Sequence, residues 1–311
     1  MAIDLPGEYR TVATGLLFPE GPTPLADGSV LVVEIARGTL SRVLPDGTVD
    51  VVADCGGGPN GSAIGPDGKI WITNNGGCFE YIEIGEMLVP GGVPPEWTGG
   101  SIQRVDLDTG EVETIYSECD GRRLRAPNDL VFDAHGGFWF TDHGVRLDRS
   151  SDRTGVFYAT SDGSSITEVL HPLDAPNGVG LSPAGDRLYV AETHTGRVYA
   201  WDVPEPGVAL GSGLLAPHGE LLAGLPGLQL LDSMAVDSEG NVCVGTLGNG
   251  GVTVISADGS SVEHVPVDDL LVTNIAFGGA DRRTAYVTAS GTGRLLAFDW
   301  PVPGLQPAHS R

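Results

Sequence analysis

The chain is poor in lysine and in sulfur. Of its 17 Lys and Arg residues only Lys69 is a lysine; against them stand 41 Asp and Glu, for a formal charge of −24. So acidic a surface repels nucleic acid and anionic membranes, which argues against both as partners. The four cysteines, Cys55, Cys78, Cys119 and Cys243, show no Cys-x-x-Cys spacing. Neither a zinc knuckle nor a disulfide framework is expected of them. No apolar run approaches the roughly 20 residues of a membrane span. The start, Met1 to Arg10, lacks the basic and apolar segments of a secretion signal, so a cytoplasmic location is expected. There is also no Gly-x-Ser-x-Gly elbow, which disfavours a serine-triad esterase.

What the sequence does have is a unit that returns. Pro127-Asn128-Asp129 opens an apolar run that ends in an Asp-containing turn and is followed by Gly137-Phe138-Trp139-Phe140-Thr141-Asp142. Pro176-Asn177-Gly178 and Pro59-Asn60-Gly61 open the same unit, as do Pro19-Glu20-Gly21, Leu231-Asp232-Ser233 and Thr273-Asn274-Ile275. Six copies at intervals of about 40 to 70 residues indicate a repeat architecture. Each copy continues into two further strand-like runs, such as Leu40–Val43 and Val49–Val52. Four short strands per repeat is the signature of a propeller blade.

The fold class expected is therefore all-β, a six-bladed β-propeller, with residues 1–311 as one domain. The last copy is one strand short, and the run near residues 8–15 predicts an N-terminal strand that closes the last blade and leaves no open edge. Blade two is irregular. Cys78 to Gly100 separates its second and third strands and carries Phe79, Tyr81, Met87 and Trp97. Loops that long are seldom idle, and this one is expected to overhang the channel as a lid. A smaller insertion, Arg146 to Thr154, is expected to be a solvated loop.

In a propeller the inner strands line the axis, so the first residue of each is expected to face one end of the channel. Those residues are Glu20, Asn60, Asn128, Asn177, Asp232 and Asn274. Any one of them alone reads as a turn former. Two carboxylates and four amides converging on an axis make instead a site for a hard cation, calcium or magnesium, because the donors are all oxygen. His143, Asn74, Asn75, Glu192 and Glu34 follow or end second strands and are expected on the same rim, Glu192 as a structural partner of Thr193 or Arg197.

Glu20-Gly21-Pro22, Pro127-Asn128-Asp129, Pro176-Asn177-Gly178 and Asp232-Ser233-Met234 resemble the motifs of the SMP-30/gluconolactonase/luciferin-regenerating-enzyme family. The likeness runs from about Tyr9 to Trp300. It implies a six-bladed propeller holding one catalytic divalent cation, with Glu20, Asn177 and Asp232 as ligands and Asn128 ligating or holding substrate. Ca2+ is the first expectation, with Zn2+, Mn2+ or Mg2+ as alternatives. The implied activity is hydrolysis of small lactones, with Asp232 activating water and Asn60, Asn128, His143, Arg125 and Tyr81 as substrate-binding candidates. Sugar lactonases of the family place an arginine where Ala126 stands, which moves the expectation away from gluconolactone. Diisopropylfluorophosphatases share the cage but carry a histidine where Ser290 stands, and aromatics near Ala175 and Leu247. The Asp232-Ser233 pair is closer to bacterial lactonases of the drug-responsive type. Three alternatives stay open, a diisopropylfluorophosphatase-like phosphotriesterase, a non-catalytic binding propeller and a metal-free enzyme of the strictosidine-synthase kind. A monomer or homodimer is expected.

Overall fold

The computed structural model describes residues 5–211 and 219–311. Residues 1–4, on which the reading of the N-terminus partly rests, lie outside them. Regular structure among the described residues is entirely β. Six antiparallel sheets follow one another around a central channel. Their inner strands are Pro19–Pro24, Pro59–Ile64, Pro127–Phe132, Pro176–Leu181, Leu230–Val236 and Val272–Gly278.

The ring closes as expected. Tyr9–Ala13 pairs antiparallel with Arg294–Asp299 as the outer strand of blade six, so the first and last strands of the propeller share one sheet. Blade four departs from four strands: Val208–Leu210 and Glu220–Gly224 both pair with Arg197–Glu205.

The alternation of side chains along a strand explains why these strands are apolar almost throughout. Ile70 and Ile72 pack into the core between blades one and two, while Trp71 between them packs into the core between blades two and three. Phe138 and Phe140 face blade two, and Trp139 faces blade four. Each second strand is covered on both faces, so neither face needs polar residues. The result is one apolar cluster per blade interface. A seventh, built on Cys78, Ala126 and Val145, lies under the blade-two insertion. The four cysteines are free and buried, each in a different cluster, which agrees with the absence of disulfide spacing.

The turns between strands use aspartate to hold the backbone. Asp27 accepts from the Ser29 N–H at 3.0 Å, Asp67 from Lys69 at 3.1 Å and Asp133 from His135 at 2.7 Å, the Asx-turn device. After Asp299 the chain crosses the far end of the channel. Leu305 donates its N–H to the Val236 carbonyl at 3.1 Å, and Arg311 reaches Asp108 at 2.9 Å.

Candidate metal and active site

The six ring residues are carried into the channel by bulges. In blade two, Pro59 pairs with Asn74 and Ser62 with Ile72, so three steps along the inner strand match two on its neighbour. Blades one, three, four and five break register at the same point, at Glu20/Thr23, Pro127/Leu130, Pro176/Val179 and Leu231/Met234. Blade six does so between Val272 and Asn274. A bulge adds a residue and re-aims the side chain beside it. The ring residue is accordingly the second or third of its strand, where the sequence reading placed it first.

The residue after it must often be glycine. A Cβ on Gly21 would lie 2.7 Å from the Asn60 carbonyl oxygen, and one on Gly178 would lie 2.6 Å from that of Asp232. Neighbouring inner strands approach too closely there for any side chain.

Glu20, Asn60, Asn128, Asn177 and Asp232 line one cavity of about 350 Å³. Asn274, the sixth, is turned aside: its Nδ2 donates to Glu20 Oε2 at 2.7 Å. Glu20 Oε1, Asn60 Oδ1 and Asn128 Oδ1 are buried and have no hydrogen-bond partner. The Asn177 amide is oriented by Nδ2 donating to Thr193 Oγ1 at 3.1 Å, which leaves its oxygen for Ser233 Oγ at 3.4 Å.

Burial raises the Glu20 carboxyl well above the usual range, and the charges of Asp232 and Asp129 push it the same way. Asp232 is pushed up to about 7 by burial, opposed by its bond to Asn177 and assisted by Asp129. Two buried carboxylates beside orphaned amide oxygens, with no arginine or lysine among the lining residues, are groups that a divalent cation would satisfy together. Unpaired acceptors in a low-dielectric site otherwise cost about 1–3 kcal/mol each.

Asp129 is a further buried acid of this region, one to which the sequence alone assigns no role. Its carboxylate is buried below the ring, takes the Val179 N–H at 3.0 Å and the Leu130 N–H at 2.9 Å, and is pushed up to about 7 by burial. Its place directly after Asn128 in a Pro-Asn-Asp step was the available signal.

The residues that end second strands are not free rim groups. Glu34 Oε2 takes the Leu17 N–H at 2.7 Å, Asn74 Oδ1 that of Gly58 at 2.9 Å, and Glu192 Oε1 that of Asp174 at 2.9 Å. Asp142 takes both Arg125 and Ala126, at 2.6 and 2.7 Å. Each buckles the loop that feeds its own blade's inner strand. Glu192 is thus structural as expected: its carboxylate takes the Asp174 N–H and the Thr195 hydroxyl (2.8 Å), and Arg197 is its partner across the strand ladder. Position after the buckle is what reaches the cavity: Ile35, Asn75, His143 and Thr193 all line it.

The insertion overhangs the ring. Tyr81–Ile84 and Met87–Pro90 form a hairpin, and Leu88 N–H donates to the Gly291 carbonyl in blade six at 2.8 Å. The hairpin therefore spans from blade two to blade six, and Cys78, Phe79, Val89 and Pro90 roof the cavity.

Two of the expected substrate-binding residues do not line the cavity. Arg125 does not line the cavity. It is held outside by Asp152 at 2.9 Å and by the Trp97 ring, 4.5 Å from the guanidinium carbon, because Asp142 fixes its backbone facing the smaller insertion. Tyr81 is not a lining residue either, but its ring lies 5.1 Å from that of Phe18, which is one. Its hydroxyl is buried without a partner and is raised by burial and by the charges of Cys78, Asp232 and Glu20. The sequence reading also missed His194, which lines the cavity with its ring 5.7 Å from that of His143.

A six-bladed propeller with an oxygen-lined pocket at one mouth and an apolar roof is the class of protein that fold and site define. The chain belongs to the SMP-30/gluconolactonase/LRE-like family, whose profile matches residues 18–291. It is 31% identical over 275 residues to the lactonase drp35 of Staphylococcus saprophyticus, covering 86% of this chain and 74% of that one. Against the gluconolactonase of Zymomonas mobilis it is 26% identical, over 93% of this chain and 80% of that one. The calcium-binding protein regucalcin of Agrobacterium tumefaciens superposes with a TM-score of 0.77 at 19% identity, over 100% of both chains. That last likeness is one of fold.

Proposed function

We propose that the protein is a lactone hydrolase dependent on one divalent cation, calcium foremost, held by Glu20, Asn128, Asn177 and Asp232. The observation that carries this is the set of buried, unpartnered oxygens, Glu20 Oε1, Asn60 Oδ1 and Asn128 Oδ1, beside Asp232 in one cavity. The naming of its relatives as lactonase and gluconolactonase supports the reaction class, and the calcium-binding relative in fold supports the ion. A bound cation would supply Lewis-acid polarisation of the ester carbonyl.

This chain's residues do the rest. The apolar roof of Phe79, Val89 and Pro90 seats the lactone and keeps bulk water from the ring. Asn60, beside the proposed ligands, offers an amide to the substrate's polar edge. Asp232 takes a proton from the attacking water and returns it to the ring oxygen as the C–O bond opens. Elemental analysis of extensively dialysed protein, paired with a panel of lactones, tests the reading. Stoichiometric calcium with lactone turnover is expected; full activity in metal-free protein would overturn it.

A further inference from the structure

Hydrolysis of a lactone makes an acid inside a roofed, largely apolar chamber. One proton of the attacking water returns through Asp232 to the leaving oxygen. The other stays on the new carboxyl group and must leave before the chamber is reset. On the lactonase reading above, some group in the chamber must take that second proton.

His143 is placed for it. Its backbone N–H is tied to the Ala126 carbonyl at 2.9 Å, directly after the Asp142 buckle. Its Nδ1 lies 3.0 Å from the Gly144 carbonyl oxygen. A carbonyl only accepts, so Nδ1 carries the hydrogen and the neutral ring presents Nε2 as a bare acceptor. The side chain lines the cavity together with Asn128 and Asn177. His194 stands next to it, the two rings 5.7 Å apart and inclined at 70°. Burial holds both rings below the ordinary histidine range, His194 down to about 4, so at neutral pH both are free to accept. The charged groups facing the pair are Arg146, which disfavours a second positive charge, and Asp174, which favours it. Asp142 and Glu192, on the adjoining strands, are engaged by backbone N–H groups.

We propose that His143, with His194 beside it, is the proton exit of this chamber. The carboxylic acid formed by C–O cleavage gives its O–H proton to His143 Nε2, leaving a hydroxy-carboxylate. The resulting imidazolium passes that proton to water at the mouth beside His194. Atoms balance as lactone plus water to hydroxy-carboxylate plus one released proton. Such a role follows the chemical step, so it governs kcat more than kcat/KM.

The experiment compares wild type, His143→Ala, His143→Gln and His194→Gln on an alkyl-substituted γ-lactone in weak buffer, with calcium titration and thermal unfolding alongside. His143→Ala is expected to lose about 100-fold in kcat, with kcat/KM within about threefold and calcium affinity unchanged. Added imidazole is expected to restore kcat along a saturating curve. His194→Gln is expected to lose about tenfold or less, again in kcat. If His143→Ala does not fold, His143→Gln carries the same comparison without rescue. An unaltered kcat, a loss shared equally by kcat/KM, or a His143→Ala loss that imidazole leaves untouched would overturn the proton exit alone. A wild type with bound calcium that hydrolyses no lactone would overturn both this inference and the reading beneath it.

Discussion

Thr141 of blade three donates its hydroxyl to the main-chain carbonyl of Asn177 in blade four at 2.5 Å, and accepts the Asp129 N–H at 3.1 Å. Thr73 stands at the same place in blade two and bonds the carbonyl of Asn128. In these two blades a hydroxyl one residue before the buckle thus pins the next blade's ring residue. Thr141→Val keeps the shape but leaves a buried carbonyl and a buried N–H unpaired, a loss of about 1–3 kcal/mol. Urea unfolding is expected to report that loss, and calcium titration a weaker site. Thr141→Ser is expected to restore most of both. An unchanged calcium affinity in the valine variant would show that the pin does not set the ring.

Asp232 is assigned both ligation and proton transfer, and the two separate by substitution. Asp232→Asn keeps an oxygen donor and removes the base. Bound calcium is expected to stay near stoichiometric while kcat falls by about 10²–10⁴-fold. Turnover at the wild-type rate would remove the base role from Asp232.

The buried carboxylates give a pH dependence with a definite sign. Asp129 and Asp232 are pushed up to about 7, and Glu20 is raised as well. An acid held above its unfolded value binds its proton more tightly in the folded state. The stability this confers is complete below the unfolded value and lost as pH rises through about 7. His143 and His194 act with the opposite sign, but below their unfolded value of about 6.5. The window from about pH 6.5 to 8 therefore isolates the carboxylates. Chelator-treated protein is expected to lose stability across it, and calcium to shrink that loss by pairing Glu20 and Asp232. Denaturation midpoints at the two ends, with and without calcium, measure both; a cation-free midpoint that rises with pH would contradict the assignment.

Sequence carried the fold because a propeller writes its period into the chain. Each inner strand needs a polar residue at its mouth and each second strand needs two apolar faces, as Ile70-Trp71-Ile72 and Phe138-Trp139-Phe140 show. The ring was legible for the same reason, down to Asn60 and Asn128. The direction of individual side chains was not. Arg125 sits one residue from Ala126 in the chain, yet the Asp142 buckle and the Trp97 face take it out of the cavity. Asn274 belongs to the repeat but spends its amide on Glu20. His194 follows a residue of the repeat rather than occupying one, so no period marks it.

Specificity turns on the blade-two hairpin. Six of the insertion's apolar residues divide three ways: Phe79 and Val89 face the cavity, Val93 and Trp97 pack beneath the roof, and Ile82 and Ile84 are exposed at 52% and 58%. Two apolar side chains closing on a ligand contribute about 3–6 kcal/mol at roughly 1.5–3 kcal/mol each. A neutral hydrogen bond to a sugar hydroxyl contributes about 0.5–1.5 kcal/mol. With Arg125 held outside and Ala126 at the wall, lactones bearing alkyl or aryl groups are expected to be preferred over gluconolactone. The hairpin can be removed cleanly, because its ends already meet: Gly91 N–H donates to the Glu80 carbonyl at 2.6 Å and Glu80 N–H to that of Gly92 at 2.8 Å. Replacing residues 81–90 by a short glycine-containing turn is expected to lower kcat/KM for an alkyl lactone by about tenfold or more, as loss of one apolar contact of that size would. Gluconolactone turnover should change far less. Phe79→Ala tests the same contact with the hairpin in place and is expected to move the ratio in the same direction. A wild-type preference for gluconolactone, or an alkyl preference that survives both changes, would assign the roof to closing the chamber and not to choosing its substrate.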